Sequence, residues 1–375
     1  MSKVVLVTGG TGFLGGHLVS LLVRRGERVR VLTRAATPQL RELGVECAEG
    51  SLLDPAALAL ALKGVSRVYH CAGLVSRDPD VGPEMYRVHV DGTRLLLEEA
   101  KRAGVERVLV VSTSGTIAVS THDEISTEES PYRIETVRRW PYYLSKIFQE
   151  KLALELAAAG GPEVVVVNPS ILFGPGDVRL SSTGDVLRFL EGKIPLVPSG
   201  GINFGAARDA AAGAILAMEQ GKPSARYLLG GPNWSLGEFF ARLARVSGVR
   251  APIVRIPDTA ARFGAGVVEQ LFRLRGSDAK PPIDRESVEI AQHFWFFDSS
   301  RARDELGWEP RDPMETLDDT VAFVRERFLG GAPPPRKAPS FLETLVTRLE
   351  PAAPPEPPAP APPKSPRKRR AAPRS

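Results

Sequence analysis

Tyr142 and Lys146, in Trp140-Pro141-Tyr142-Tyr143-Leu144-Ser145-Lys146, have the side chains and the spacing for proton chemistry. Four residues apart on a helix, they stack on one face. An ammonium beside a phenol favours the phenolate and lowers a pKa that is otherwise about 10. The expected result is a proton donor and acceptor usable near neutral pH. A second group of candidates is the hydroxyl cluster Ser112-Thr113-Ser114-Gly115-Thr116, able to hydrogen-bond a substrate oxygen. The residues alone leave open which of Thr113, Ser114 and Thr116 is the site hydroxyl. The third is Thr8-Gly9-Gly10-Thr11-Gly12-Phe13-Leu14-Gly15, where Gly9, Gly12 and Gly15 recur every third residue. Tyr-x-x-x-Lys alone is a common surface coincidence, and a serine cluster after a strand is often turn chemistry. Their meaning comes from the elements around them.

The apolar run Val4-Val5-Leu6-Val7 enters the glycine turn, which opens onto Leu18, Leu21 and Leu22 at the i, i+3, i+4 spacing of a helix face. Strand, glycine turn, helix is the setting in which such glycines bind a dinucleotide. Gly9 makes the tight turn, Gly12 lets backbone approach a pyrophosphate, and Gly15 lets the helix pack close, with free N–H groups facing the phosphates. Gly26 ends the helix, and residues 28–32 form a second strand that reaches Arg34. An acidic residue there would favour the free 2′-hydroxyl of NAD, whereas a guanidinium suits a 2′-phosphate. The reading is therefore NADP, with NAD the alternative. Further strands at 45–50, 65–72 and 108–111 alternate with helices at 55–63 and 86–103. Strands that are apolar without alternation predict a parallel sheet covered on both faces: an α/β, Rossmann-type doubly wound fold.

Composition narrows the class. Among 375 residues, 43% are hydrophobic and 25% charged, the balance of a soluble globular protein. No apolar run reaches the roughly 18 residues of a membrane span. Residues 1–25 run straight into the strand and turn, so no signal peptide is read and the expected location is cytoplasmic. Cys47 and Cys71 are read as reduced core residues. The net charge of +5 is concentrated in residues 332–375, which hold nine Lys/Arg against three Asp/Glu and fourteen prolines. Without that tail the balance is 40 basic to 41 acidic residues, which gives no support for a nucleic-acid-binding body. The tail itself predicts disorder with one short helix near 340–349. Its five basic residues from Lys364 to Arg370 are read as solvated, with an acidic partner as the alternative.

Together the glycine turn, Ser114 and Tyr142-Tyr143-Leu144-Ser145-Lys146 resemble the extended short-chain dehydrogenase/reductases, the NAD-dependent epimerase/dehydratase superfamily. Val90-Asp91-Gly92-Thr93, Asn168-Pro169-Ser170-Ile171-Leu172-Phe173-Gly174-Pro175-Gly176, Ala207-Arg208-Asp209 and the segment from Phe297 to Trp308 match in order. The resemblance covers about residues 3–328 and is similar to the dihydroflavonol reductase-like and 3-beta-hydroxysteroid dehydrogenase-like branch. It implies Tyr142 as acid/base, Lys146 as the group that lowers its pKa and holds the nicotinamide ribose, and Ser114 as the hydroxyl that steadies the substrate oxygen. It places Gly9, Thr11, Gly12, Phe13, Leu14, Gly15, Arg34, Leu52, Ala72, Pro169 and Ile171 around the cofactor, with no metal. Two positions depart from the pattern: Ser51 where the family has an acidic adenine contact, and His89 where it tends to have asparagine. His89 is accordingly read as structural.

The implied domain is residues 1–331, with a cofactor-binding core of about 1–173 and a substrate lobe mainly at about 174–311 from which segments return to the sheet. In that lobe Gly200-Gly201-Ile202-Asn203-Phe204 is read as a loop, either covering the site or plain surface. Ser235 and Glu238 are read as a helix cap, His293 through Phe296 as core, and residues 313–328 as a last helix. The functional expectation is an NADP-dependent oxidoreductase moving a hydride to or from a carbonyl or secondary-alcohol carbon of a small molecule, compatible with a homodimer. The alternatives are a nucleotide-sugar epimerase with bound NAD and a non-catalytic NADP-binding scaffold.

Overall fold

Seven parallel strands form the central sheet, in the spatial order β10 (Arg226–Leu229), β6 (Glu163–Pro169), β5 (Arg107–Val111), β4 (Val65–His70), β1 (Val4–Thr8), β2 (Arg28–Thr33) and β3 (Glu46–Glu49). The computed structural model describes residues 4–194, 196–252, 254–255 and 285–331; the proline-rich tail and its expected helix lie outside the described residues. Outside that sheet lie β7 (Ile171–Phe173), β8 (Leu196–Val197), β9 (Gly201–Ala206), β11 (Asn233–Ser235) and β12 (Val254–Arg255).

Side chains alternate across a strand, and here both faces are covered. Val5 and Val7 pack with Leu18 and Leu22 of helix Phe13–Arg24 and with Ala214 and Met218 of helix Ala207–Gln220. Val4 and Leu6 face the other way, onto Leu96 of helix Gly92–Arg102 and Leu58 of helix Pro55–Ala61. This two-sided burial is why the strands read as continuous apolar runs. From β1 the chain steps outward to β2 and β3, then returns to place β4 on the opposite side of β1. That reversal opens a crevice at the carboxyl ends of β1 and β4, the position where such sheets bind ligands.

The segment after β6 builds a second, smaller core around Phe173, Phe204, Trp234, Phe239 and Leu317. A three-stranded sheet, β11-β9-β7, backs it. Residues 200–204 are therefore mostly strand β9 rather than a surface loop. Gly201 sits beneath Phe296, and its N–H donates to the His293 carbonyl, so the segment is fixed inside the lobe. Chain from this region crosses back when helix Ala207–Gln220 and β10 join the main sheet. The helix expected to start near Tyr86 begins instead at Gly82 and carries a π turn at Arg87–Asp91. Helix Pro313–Phe328 falls where the sequence places it. Cys47 and Cys71 are free and half-buried rather than full core residues, and burial pushes the Cys71 thiol up to about 12.

Helix Leu236–Ser247 starts at the expected cap, the Ser235 hydroxyl accepting the Glu238 N–H at 3.1 Å. The reciprocal half of a capping box is absent from the described bonds, since the Glu238 carboxylate accepts from Arg242 at 2.6 Å. Ser235→Ala should therefore lower unfolding free energy by about 1 kcal/mol. Glu238→Gln should change it by less than about 0.5 kcal/mol, the scale of an exposed i,i+4 pair. Urea denaturation measures both.

Candidate active site

Each glycine of the opening turn has a distinct reason to be glycine. Gly9 has φ +71°, and a Cβ there would lie 2.6 Å from the Ala72 nitrogen, so the turn lies directly on the backbone that leaves β4. A Cβ at Gly15 would come within 2.2 Å of the Gly9 carbonyl oxygen, which ties the first helix to the turn. At Gly12 a Cβ would meet only that same oxygen, at 3.2 Å. That carbonyl would have to give by a few tenths of an ångström, far less than at Gly9 or Gly15, and the space beside Gly12 is open to a ligand. Gly12 also caps the helix with no side-chain bond, and no acidic residue stands in the first turn. These uncapped N–H groups suit an anionic group.

The other proposed cofactor contacts surround the same edge. Thr11, Phe13 and Leu14 are half-buried on the turn and first helical residues; Phe13 meets the His17 ring edge-on, and Leu14 packs with Leu172 and Ala210. The Ala72 N–H donates to the Thr8 hydroxyl. Leu52 is buried and fills the space above Gly92. Pro169 ends β6 and Ile171 begins β7. Arg34 stands exposed past the end of β2, with no hydrogen bond or ion pair among the described residues. Ser51, the departure from the family pattern, uses its hydroxyl to accept the Leu53 N–H. The turn and its bare helix end fit a nicotinamide dinucleotide.

Tyr142 and Lys146 lie in helix Pro141–Ala158, which starts with proline at its first position, where the missing N–H costs nothing. Both residues reach the carboxyl edge, but not as the expected pair. Lys146 Nζ donates to the Val111 carbonyl at 2.6 Å and to Gln149 Oε1 at 2.6 Å. Burial is the main influence on it and brings its pKa down to about 8, against the pull of Glu150. Burial also drives the Tyr142 phenol well above its ordinary value, opposed by a hydrogen bond with the Thr113 side chain. The expected lowering of the Tyr142 pKa is thus reversed in the protein alone. Desolvation of a phenolate exceeds the help of an ammonium already bonded to two other acceptors.

The strand-end hydroxyls divide by function. Thr116 is turned inward, donating to the Thr113 carbonyl at 3.0 Å and to Glu150 Oε2 at 3.3 Å. Glu150, fully buried, also accepts from Ser112, Asn168 and Tyr132, and Arg226 stands 3.5 Å away. That leaves Thr113, whose side chain acts on the Tyr142 phenol, and Ser114, buried at the start of a short 3-10 turn, as the hydroxyls not tied to Glu150. Gly115, the next residue after Ser114, is required by packing, because a Cβ would lie 2.4 Å from the Tyr143 ring.

Several contributors went unseen in the sequence. Trp295, read as core, is half-buried and lies with its ring 4.9 Å from that of Tyr143, which in turn meets Tyr142 edge-on at 5.1 Å. His89 is structural as read, yet its contacts reach the site. Its Nε2 accepts the Leu74 N–H at 3.0 Å, so the ring proton sits on Nδ1 and goes to Ser145 Oγ at 2.8 Å. Ser145 then donates to the Tyr142 carbonyl. Burial pushes His89 down to about 2, so it holds this arrangement as a neutral ring. Gln149 and Glu150 carried one available signal: polar residues three and four positions after Lys146, on the helix face that must turn inward.

Comparison with known proteins gives the family and the fold. A family model described as the NAD dependent epimerase/dehydratase family matches residues 5–230. Sterol demethylase protein B of Methylococcus capsulatus is 36% identical over 329 residues, covering 86% of this chain and 98% of that protein. A Synechocystis protein whose name places it with the dihydroflavonol 4-reductases is 33% identical, covering 87% and 95%. The crystal structure of gox2253 superposes with a TM-score of 0.74 at 33% identity, over 87% of this chain and 99% of that one.

The glycines separate folding from binding. Gly12→Ala should leave the ligand-free melting temperature nearly unchanged and weaken nicotinamide-dinucleotide binding at least tenfold in a fluorescence titration. Gly15→Ala should cost about 1–3 kcal/mol of stability, because its methyl meets backbone that must move. Equal losses of stability in the two variants would contradict these assignments.

Proposed function

The chain belongs to the NAD dependent epimerase/dehydratase family as an extended short-chain dehydrogenase/reductase, and from that premise we propose that it is an NADP-dependent carbonyl reductase. The observation that carries this reading is the Tyr142 phenol beside Thr113 at the carboxyl edge of β5, one helical turn from the buried ammonium of Lys146, which donates to the Val111 carbonyl of the same strand. Bound NADPH supplies the hydride, and the chain's own residues orient the partners and move the proton. Tyr142 delivers its proton to the substrate oxygen as that oxygen gains charge. Ser114 donates a hydrogen bond to the same oxygen. A phenol is protonated at neutral pH, and burial moves that of Tyr142 further from ionising, which suits a proton donor.

Arg34 supports NADP over NAD, since an unpaired guanidinium past β2 can take a 2′-phosphate. Trp295 packs on Tyr143, which meets Tyr142 edge-on, and this aromatic cluster beside the phenol supports an apolar, ring-bearing carbonyl compound as substrate. The names of the sterol-associated and dihydroflavonol-associated relatives point the same way.

Arg34→Asp should shift the ratio of NADPH to NADH affinity by about tenfold or more towards NADH, a difference of about 1.4 kcal/mol. An unchanged ratio removes Arg34 from the cofactor site. Tyr142→Phe should lower turnover by about 10²–10⁴-fold, the usual worth of a general acid, while NADPH affinity stays within about twofold. Turnover is followed by NADPH absorbance against a panel of ring-bearing ketones and aldehydes; retained turnover removes the assignment. Tightly held NAD in the purified protein, with no NADPH oxidation, would favour epimerase chemistry instead.

A further inference from the structure

Beneath the proton-transfer residues runs a buried chain of polar side chains that the proposed reaction does not use. It begins at Thr8, the last residue of β1 before the glycine turn, whose Oγ1 shares a 2.7 Å hydrogen bond with His70 Nδ1. His70 Nε2 shares one of 2.8 Å with Thr93 Oγ1. Thr93 accepts from Gln149 Nε2 at 2.8 Å, and Gln149 Oε1 accepts from Lys146 Nζ at 2.6 Å. Thr8, His70, Thr93 and Gln149 are fully or almost fully buried. The amide is therefore orientated without ambiguity: its NH2 faces Thr93 and the His70 ring, 3.3 Å away, and its oxygen faces the ammonium.

An ammonium has three donors. Val111 and Gln149 occupy two of those of Lys146, both at short distance and both from rigid elements. We propose that Gln149 is the positioning residue of this site, fixing Lys146 so that a single N–H remains for the cofactor ribose or for Tyr142. The proposal rests on the reading of Lys146 as a cofactor contact, but the property it assigns, control of the lysine's direction and charge, belongs to the protein alone. Thr93 and His70 hold Gln149 in turn, and Thr8 links the same chain to the strand that carries the glycine turn. His70, pushed down to about 3 by burial, serves as a neutral connector.

Several groups besides Gln149 face this ammonium. Glu150 lies on its own helix, His70 and Cys71 at the end of β4, and His89 on the π turn. Tyr142 occupies the preceding helical turn. The two histidines are neutral and the Cys71 thiol is protonated, so Glu150 is the full negative charge among them, and it is already shared with four hydrogen-bond donors and Arg226. The neutral amide oxygen thus fixes the lysine in place without cancelling its charge.

The test changes only the charge and acceptor power of residue 149. In Gln149→Glu a carboxylate beside the ammonium should raise the Lys146 pKa by about one unit or more; in Gln149→Met, which keeps the length but removes the acceptor, it should fall. The titration is read by carbon NMR of labelled lysine, the Lys146 signal being identified by its loss in Lys146→Met. Affinity for NADPH and for NADH, followed from pH 6 to 10, should weaken above a midpoint that moves in the same order: Met below Gln below Glu. A lysine titration indifferent to residue 149, with only the melting temperature altered, overturns the proposal. If the titration shifts as expected while neither nucleotide binds the wild-type protein, the proposal stands and the cofactor reading fails.

Discussion

The interior of this site is organised by one buried positive charge. Lys146 is nearly solvent-free, and an unpaired ammonium in such a place would cost several kcal/mol. Its surroundings offset that cost by short bonds to a carbonyl and an amide and by the carboxylate of Glu150 one turn along the helix. The same burial depresses the lysine, keeps His70 and His89 neutral, and holds the Tyr142 phenol in its protonated form. A site of this kind carries its proton on the tyrosine and its charge on the lysine, which is the distribution a carbonyl reduction requires at its start.

The fold supplies the location. Because β1 and β4 are adjacent in the sheet but separated in the chain by two strands, their carboxyl ends leave a crevice, and Gly9 folds onto the Cys71–Ala72 backbone within it. Helix Pro141–Ala158 then presents Tyr142 and Lys146 to one side of that crevice. Glu150 fastens this helix to the strand-end hydroxyls through Ser112 and Thr116 and to β6 through Asn168. Tyr142, Lys146, the hydroxyl loop and the glycine turn therefore sit on elements cross-linked by buried polar contacts.

What the sequence disclosed was local in origin. The glycine spacing, the apolar strands and the Tyr-to-Lys interval are each written within a dozen residues, and the corresponding elements are present. What it hid depends on distant contacts. Trp295 reaches Tyr143 only because the lobe folds over the sheet, and Gln149 meets His70 from 79 residues away. The pKa of Tyr142 was misread for the same reason. Spacing put an ammonium on its helix face, whereas that ammonium is turned to Val111, on a strand 35 residues earlier, and to Gln149. The segment at residues 200–204, glycine-rich and loop-like as written, becomes strand because β7 and β11 pair with it on either side.

Direct transfer of the hydride is the centre of this account. NADPH carrying deuterium at C4 of the nicotinamide, incubated with the protein and ring-bearing ketones, should deliver one deuterium to the carbinol carbon of the alcohol formed, from one face only. Mass spectrometry and proton NMR of the product read the outcome. NADPH bound by the protein with no deuterium reaching carbon in any compound of the panel would contradict it.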